Sequence, residues 1–278
     1  MERNRNVGLP SAADLRQAVN DAVMEAGIML RAEFHRPEGR RGSGGNAEID
    51  DEIEAMLKRR LLGAHPCDWR GEETPHITTG HADVWVVDPQ DGTRAFLKGL
   101  RGSAVSVALV RNGRPILGVV YAPTAPDDTG DWFEWFDGCL PNRNGVDLRP
   151  MGAKVWMSSI DYAFARGMPR WLPRKGDPDC YDSETVIAFN QDAADFAAHN
   201  HATLAPARVV AMPSIAYRLA LAAAGEVDIG ISMTNGLDTY DVAAGHALLI
   251  GVGGVLVQLD GKPVTYTGSM RYNGCIGG

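Results

Sequence analysis

The chain has 278 residues, of which 45% are hydrophobic and 22% are charged, and its formal net charge is -8. This length allows one large domain or two smaller ones with a shared core, and the composition excludes collagens, coiled coils and mostly disordered chains. The acidic balance argues against a nucleic-acid polymer as partner, since such a partner needs a basic face. A small anionic ligand stays possible, because metal ions or a few cations can reverse the field inside one pocket.

The sequence predicts a cytoplasmic protein without membrane contact. No apolar stretch reaches the roughly 20 residues of a membrane helix, and the first six residues, MERNRN, lack the apolar core of a signal peptide. The cysteines lie far apart and form no CxxC pair, so we expect free, mostly buried thiols and no zinc site. They are Cys67, Cys139, Cys180 and Cys275.

Two helices followed by an antiparallel meander are predicted for the first half. Apolar residues recur at steps of three and four over residues 12–35, and a second helix is predicted over 49–63, after a Gly- and Arg-rich loop. Asn112-Gly113 predicts a hairpin turn between two of the strands that follow. These strands are Val84–Val87, Ser103–Val110, Ile116–Tyr121 and Trp132–Phe136.

Strands and helices alternate in the second half, which predicts an α/β arrangement. A shift in composition near residue 150 predicts two domains, an N-terminal α+β domain over 1–150 and a C-terminal α/β domain over 151–278. A helix is expected to start near Asp241, and the chain is expected to close with a hairpin of Val255–Gln258 and Val264–Tyr266. The other predicted elements are strands at 186–189, 208–211 and 227–232 and helices at 192–201 and 214–224.

Two carboxylates follow a buried strand in the segment WVVDPQDGTRAF, residues 85–96. Pro89 fixes one backbone angle, so Asp88 and Asp91 can point to the same side of their turn. Like charges held this close raise each other's pKa unless a cation lies between them. Hard divalent cations such as Mg²⁺ prefer shells of carboxylate, carbonyl and water oxygens. The segment therefore predicts a divalent-metal site.

Gly92 and Thr93 come directly after these carboxylates. Glycine lets the backbone approach an anion closely, and successive amides in a turn or at a helix start form an anion nest. Metal carboxylates next to such a nest favour a phosphate ester as ligand. Other acids stand elsewhere in the chain and are typical of solvated faces when taken singly: Asp50, Glu72, Glu73 and Asp241.

In chain order, these acids resemble the motifs of the inositol monophosphatase superfamily. The order is Asp50, then Gly71-Glu72-Glu73, then Asp88-Pro89-Gln90-Asp91-Gly92-Thr93, then Asp241-Val242-Ala243-Ala244-Gly245. The resemblance spans nearly the whole chain, and the hexamer with the downstream Asp241 motif is highly specific. It implies a layered αβαβα sandwich of the sugar-phosphatase type, with the active site between the two halves, and a homodimer.

The resemblance further implies a Mg²⁺-dependent phosphomonoesterase that acts on a small phosphorylated polyol, sugar, amino alcohol or nucleoside. One Mg²⁺ would be held by Glu72, Asp88 and the backbone carbonyl of Gln90. A second would be held by Asp88, Asp91 and Asp241. Glu72 would help to hold a third ion. This ion is expected to bind weakly, because the loop at 40–45 lacks the acid that relatives often carry there.

Catalysis is assigned by the same resemblance to Asp50, Glu72 and Thr93. Thr93, with Asp50, would orient and deprotonate the attacking water, and the pair of metal ions would clamp the phosphate. The backbone amides of Gly92 and Thr93, close to Asp91, would bind the phosphate.

Substrate contacts are expected from Arg94, Asp238 and Thr234. Thr234 stands where inositol monophosphatases often have a glutamate that contacts inositol, so inositol phosphate is less favoured as substrate. Gln90 also departs from the Ile or Leu usual at its position. Lys98 and Arg101, with Arg94, either contact an anionic substrate or are solvated loop cations.

Two other functions stay open. A catalytically weak family member can serve as a binding or regulatory protein, and the changes near positions 42, 47 and 90 motivate this alternative. A metal-dependent enzyme that does not act on phosphate is the other, although it leaves Gly92-Thr93 unexplained.

Overall fold

Two mixed β-sheets, a two-stranded antiparallel hairpin and three layers of helices make up the part of the chain that the computed structural model describes, residues 11–148, 185–267 and 271–278. The helices are α1 (Ala12–Phe34), α2 (Glu48–Ala64), α3 (Thr93–Leu97), α4 (Ala197–Leu204), α5 (Ile215–Ala223) and α6 (Thr239–Val252). A 3-10 helix, Gln191–Phe196, precedes α4. None of the helices in these ranges is both long and apolar enough to cross a membrane.

The strands of the first half are β1 (Gly42–Ser43), β2 (Asn46–Ala47), β3 (Asp68–Gly71), β4 (Asp83–Asp91), β5 (Ala104–Arg111), β6 (Arg114–Ala122), β7 (Asp131–Phe136), β8 (Asn142–Arg143) and β9 (Val146–Asp147). Those of the second half are β10 (Val186–Phe189), β11 (Arg208–Ala211), β12 (Ile229–Asp238), β13 (Leu256–Gln258) and β14 (Arg271–Gly277).

The first sheet has the order β3-β4-β5-β6-β7-β8-β9. β3 runs parallel to β4, and the remaining neighbours are antiparallel, as the predicted meander requires. Side chains of β4 alternate between the faces of the sheet. Trp85 and Val87 pack in the cluster formed with α1 and α2, while Val86 packs in the cluster formed with α5 and α6. The sheet is therefore covered by helices on both faces.

The second sheet has the order β11-β10-β12-β14-β13 and mixes parallel with antiparallel pairs. Helices α5 and α6 lie between the two sheets, since Leu219 and Leu248 share a core cluster with Val120 of β6 and Leu256 of β13. On the outer face of the second sheet, Leu204 of α4 packs in a cluster with strand residues of that sheet. The five layers confirm the predicted αβαβα sandwich.

Several predicted elements need correction. Val264–Tyr266 is not a strand: Val264 and Tyr266 are buried in the core from a loop, so their apolar character was mistaken for a strand signal. The partner of β13 is instead β14, whose sequence RYNGCIG contains two glycines and is a poor strand pattern. The helix predicted over 192–201 is divided between the 3-10 helix and α4.

Other predictions lie partly or wholly outside the described residues. The boundary between 150 and 151 falls within 149–184, as does Cys180, and the division into two domains stays a prediction. Cys67, Cys139 and Cys275 are free thiols, of which Cys139 is exposed and Cys275 is buried.

Candidate active site

A bulge in β4 brings Asp88 and Asp91 to the same face of the first sheet. Residues three apart in a regular strand point to opposite faces. Here Asp88 lies opposite Ser106, and Asp91 lies opposite Ala104, so the three-residue step on β4 matches a two-residue step on β5. The extra residue turns Asp91 back to the side of Asp88. Both carboxylates consequently face the layer formed by α5 and α6.

Asp241 adds a third carboxylate from the first turn of α6. Its side chain accepts a hydrogen bond from the backbone N–H of Asp238 at 2.6 Å, and Asp238 in turn caps the helix through the N–H of Thr239. This reciprocal cap fixes the orientation of Asp241. Asp88, Asp91 and Asp241 each offer an oxygen atom, and these atoms all lie within 4.8 Å of one another.

Burial makes the ionised forms of all three carboxylates costly. Burial, followed by the charges of Glu72, Asp91 and Asp241, raises the pKa of Asp88 well above its usual value. Burial and then the charge of Asp91 do the same to the pKa of Asp241. A divalent cation among three such oxygens would remove this destabilisation, and its preferred ligands are carboxylate oxygens. The donor set therefore fits a hard divalent metal ion.

Asp91 is also tied to the start of α5. Its Oδ2 accepts hydrogen bonds from the Ser214 hydroxyl and the Ala216 N–H, both at 2.7 Å. Ser214 is the N-cap of this helix, accepting from the N–H of Tyr217 at 2.9 Å, and such a cap contributes about 1 kcal/mol. The link from Asp91 to Ser214 spans 123 residues of sequence, so no local pattern could have revealed it.

One turn later on α5 lies Arg218, a fully buried guanidinium. Its Nη1 donates to the carbonyl oxygen of Met212 at 3.1 Å, and its charge acts to lower the pKa of Asp91. Burial of Asp91 outweighs these stabilising contacts, so the pKa of Asp91 is still raised. Neither Ser214 nor Arg218 was predicted from the sequence to be part of the site.

Thr93 and Asp50 form a pair beside the carboxylates. The Thr93 hydroxyl lies 3.1 Å from Asp50 Oδ2 and 2.9 Å from the carbonyl oxygen of Gln90, and its single hydrogen can serve one of them at a time. Burial raises the pKa of Asp50 to about 8, helped by the charges of Glu73 and Glu72. Asp50 Oδ1 is buried and has no hydrogen-bond partner among the described residues. Asp50 is thus a stronger base than an exposed aspartate.

Glu72 projects from the loop after β3, which Glu54 holds in place. The buried carboxylate of Glu54 accepts from the N–H groups of Glu73 and Thr74, both at 2.8 Å, and a side chain at Gly71 would collide with it. Glu72 is exposed as a whole residue, but desolvation of its carboxyl and the nearby acids raise its pKa to about 7. Glu54 was not predicted from the sequence, because a buried glutamate on a helix cannot be told from a surface glutamate by sequence alone.

A cavity of about 600 Å³ opens above the acidic cluster, a size suited to a small metabolite. It is lined by Gly45, Asn46, Glu72, Asp88, Gln90, Asp91, Gly92, Thr93, Arg94, Ala95, Lys98, Leu100, Asn190, Gln191, Asp192, Pro213, Thr234 and Asp241. Most of the predicted site residues therefore line one cavity. Asp50 lies behind Thr93 and is not part of this lining.

Two predicted site residues have surroundings that the sequence did not suggest. The Asp238 carboxylate is buried, caps α6 and pairs with Arg70 at 3.3 Å and Arg271 at 3.8 Å. It is absent from the cavity lining, so the arrangement gives no support to its predicted contact with substrate. The side-chain amide of Gln90 is fully buried and has no hydrogen-bond partner among the described residues. The backbone carbonyl oxygen of Gln90 accepts from the Thr93 hydroxyl.

Known proteins share both the sequence pattern and the architecture of this chain. The uncharacterized protein y4fL of Sinorhizobium fredii is 31% identical over 217 residues, which cover 77% of this chain and 67% of y4fL. The Nus factor SuhB of Escherichia coli is 29% identical over 247 residues, which cover 86% of this chain and 83% of SuhB.

Among solved structures, the extragenic suppressor protein suhB of Bartonella henselae has a TM-score of 0.70 at 22% identity, covering 95% of this chain and 93% of its own. Inositol monophosphatase II of Staphylococcus aureus, solved with bound inositol monophosphate, has a TM-score of 0.66 at 22% identity, covering 95% and 88%. The same enzyme has also been solved with 2'AMP. These likenesses show the fold. Residues 12–274 match the model of the inositol monophosphatase family, and the chain belongs to that family.

Proposed function

We propose that the chain is a Mg²⁺-dependent phosphomonoesterase that hydrolyses a small phosphorylated metabolite. The observation that carries this proposal is the cluster of Asp88, Asp91 and Asp241, whose oxygens lie within 4.8 Å of one another at the floor of the cavity. The small phosphorylated ligands bound to the staphylococcal structures support the substrate class. Membership of the family supports a phosphatase.

The metal ligands of the proposal are Glu72, Asp88, Asp91, Asp241 and the carbonyl of Gln90. Asp91 and Asp241 are held by helix caps, and Glu72 is carried by the loop that Glu54 fixes, so little reorganisation is needed. When bound, Mg²⁺ would lower the pKa of a water molecule and neutralise charge on the phosphate oxygens. Two or three ions are proposed, the third weakly held.

Thr93 and Asp50 would handle the proton of the attacking water. The water donates toward the Thr93 hydroxyl, which lies within hydrogen-bond reach of Asp50 Oδ2. Burial raises the pKa of Asp50 to about 8, so its ionised form is a stronger base than an exposed carboxylate and is the form that takes up the proton. The water oxygen attacks phosphorus, the bond to the ester oxygen breaks, and the departing alkoxide takes a proton from solvent.

The phosphate would lie against the backbone of Gly92 and Thr93, beside Asp91. Gly92 has a φ of 103°, a left-handed conformation that favours glycine and turns the chain from β4 into α3. A Cβ at this position would also lie 3.0 Å from the Pro213 side chain. Both features favour glycine, whose lack of a side chain leaves the backbone accessible to an anion.

Phosphate release from a panel of esters, measured with and without Mg²⁺, tests this function. The panel includes inositol phosphates, histidinol phosphate, adenosine phosphates and sugar phosphates. Turnover of at least one ester that stops on addition of EDTA and returns with Mg²⁺ is the expected result. Metal-independent turnover, or none on any ester, would overturn the proposal.

A binding or regulatory role is the second candidate, because one relative is named a Nus factor rather than by an enzymatic activity. The complete set of Asp50, Glu72, Asp88, Asp91, Thr93 and Asp241 favours catalysis. Absence of turnover in the panel, together with intact binding of Mg²⁺, would favour the second candidate. The homodimer and the cytoplasmic location stay predictions.

A further inference from the structure

Arg94 and Lys98 are two exposed cations that line the cavity beyond the phosphate position. They lie four positions apart, on α3 and at its end, and so project from the same side of this short helix. Arg94 extends over the turn between β1 and β2, where a Cβ at Gly45 would come within 3.2 Å of its Nε. Neither cation forms an ion pair with any residue in the described part of the chain.

Neighbouring arginines are engaged elsewhere. Arg101 binds both carboxylate oxygens of Asp128, at 2.6 and 2.8 Å, and lies over the ring of Phe34. Arg40 stacks on the same ring at 4.5 Å from its centroid. The sequence predicted the same two possible roles for Arg101, Arg94 and Lys98. In the structure, Arg101 is paired with Asp128, whereas Arg94 and Lys98 form no ion pair among the described residues.

The wall across the cavity is mostly neutral. Asn190 Nδ2 donates to the Thr234 hydroxyl at 2.8 Å, and Gln191 lies beside them. Asp192 is the acid on this wall, and among the described residues it forms no ion pair with Arg94 or Lys98. The positive charge at the α3 side is therefore left for a ligand.

The spacing separates Lys98 from the phosphate that is hydrolysed. A helix rises about 1.5 Å per residue, so the backbone of Lys98 lies about 7.5 Å beyond that of Thr93. One phosphate bound against Gly92 and Thr93 leaves Lys98 without its own anion. Guanidinium and ammonium groups bind phosphate or carboxylate oxygens through charge-assisted hydrogen bonds.

We propose that Arg94 and Lys98 bind a second anionic group, so that the substrate is a phosphomonoester carrying a further phosphate or a carboxylate. This inference rests on the proposed phosphatase function, since it assigns the first phosphate to the acidic end of the cavity. It places the ester phosphate at Asp88, Asp91 and Asp241 and the second anion at the end of α3.

Matched substrate pairs test the proposal and tell phosphate from carboxylate. Fructose 1-phosphate is compared with fructose 1,6-bisphosphate, and glucose 6-phosphate with 6-phosphogluconate. Wild-type protein is expected to favour the two-anion member of at least one pair by about 10- to 100-fold in kcat/KM, the range of one or two charged hydrogen bonds. In the double variant Arg94→Gln, Lys98→Gln, this preference falls to near one, through a higher KM.

Arg59→Gln is the matched control, because Arg59 is an exposed cation on α2 outside the cavity lining. It should keep the wild-type preference. Equal kcat/KM within both pairs, or a preference that persists in the double variant, would overturn the proposal while leaving the phosphatase function intact.

If no ester is hydrolysed, the proposed phosphatase function is wrong. Binding of the same four compounds, measured by calorimetry, then tests the second anion site independently of turnover. Weaker binding of the two-anion compounds by the double variant than by wild type upholds it. Equal binding by both proteins overturns it.

Discussion

The two ends of the cavity differ in how firmly the fold holds their side chains. At the acidic end, Asp91 is bound by Ser214 and Ala216, and Asp241 by the backbone of Asp238. At the opposite end, Arg94 and Lys98 are exposed and form no ion pair within the described ranges. One end is built from a strand bulge and two helix starts, and the other from side chains at the cavity rim.

This difference separates the chemistry from the choice of substrate. Metal ligands need fixed positions, because an ion binds tightly only where the oxygens already converge. Substrate recognition can rely on exposed side chains, because replacing them changes which molecule binds without altering the metal ligands. Changes at the acidic end should therefore reduce kcat, while changes at the rim should alter KM.

Asp91→Asn is expected to have the largest effect. The amide keeps an oxygen for Ser214 and Ala216 but removes one negative charge from the cluster, so several kcal/mol of metal-mediated stabilisation should be lost. This corresponds to a fall of about a thousandfold or more in kcat/KM. Phosphate release measures the loss, and thermal unfolding with Mg²⁺ should show less stabilisation than in wild type.

Asp260→Asn is the control for Asp91→Asn, since Asp260 is exposed, pairs with Lys262 and is not part of the cavity lining. It should leave both the turnover and the stabilisation by Mg²⁺ as in wild type. Unchanged turnover in Asp91→Asn would remove Asp91 from the proposed metal site.

Thr93→Val should have the next largest effect, because it deletes the hydroxyl that lies 3.1 Å from Asp50. The methyl group preserves the size of the side chain but cannot pass a proton, so kcat should fall about 100-fold, the lower range for loss of a general acid–base contact. Thr93→Ser keeps the hydroxyl and should recover most of the rate. An effect confined to KM would show that Thr93 only contributes to binding.

The acidic end could be predicted from the sequence because two of its carboxylates are close together in the chain. Asp88, Pro89 and Asp91 lie within one turn, and the repulsion between two such carboxylates indicates a cation without knowledge of the fold. The resemblance to a known family then supplied Glu72 and Asp241. The layered architecture was predicted in the same way and is confirmed.

The supports of the site could not be predicted, because they depend on contacts between distant parts of the chain. Ser214 reaches Asp91 only after α5 packs between the two sheets. Asp238 was predicted to contact substrate, and no sequence pattern distinguished that role from a helix cap with two arginine partners. β14 was missed because its pairing with β12 and β13 outweighs its weak strand propensity.

Asn190→Ala should have the smallest effect and sharpens the contrast between the two ends. Asn190 directly follows β10, and its side-chain amide donates to the Thr234 hydroxyl at 2.8 Å. The alanine variant removes this neutral hydrogen bond at the rim of the cavity. KM should rise about two- to tenfold, the range for such a bond, with kcat unchanged. Steady-state kinetics on the preferred ester measures both constants, and Arg59→Gln, outside the cavity lining, is the control that should leave both as in wild type. A fall in kcat as large as that of Thr93→Val would mean that the rim also positions the reacting phosphate, and the separation of chemistry from recognition would then be wrong.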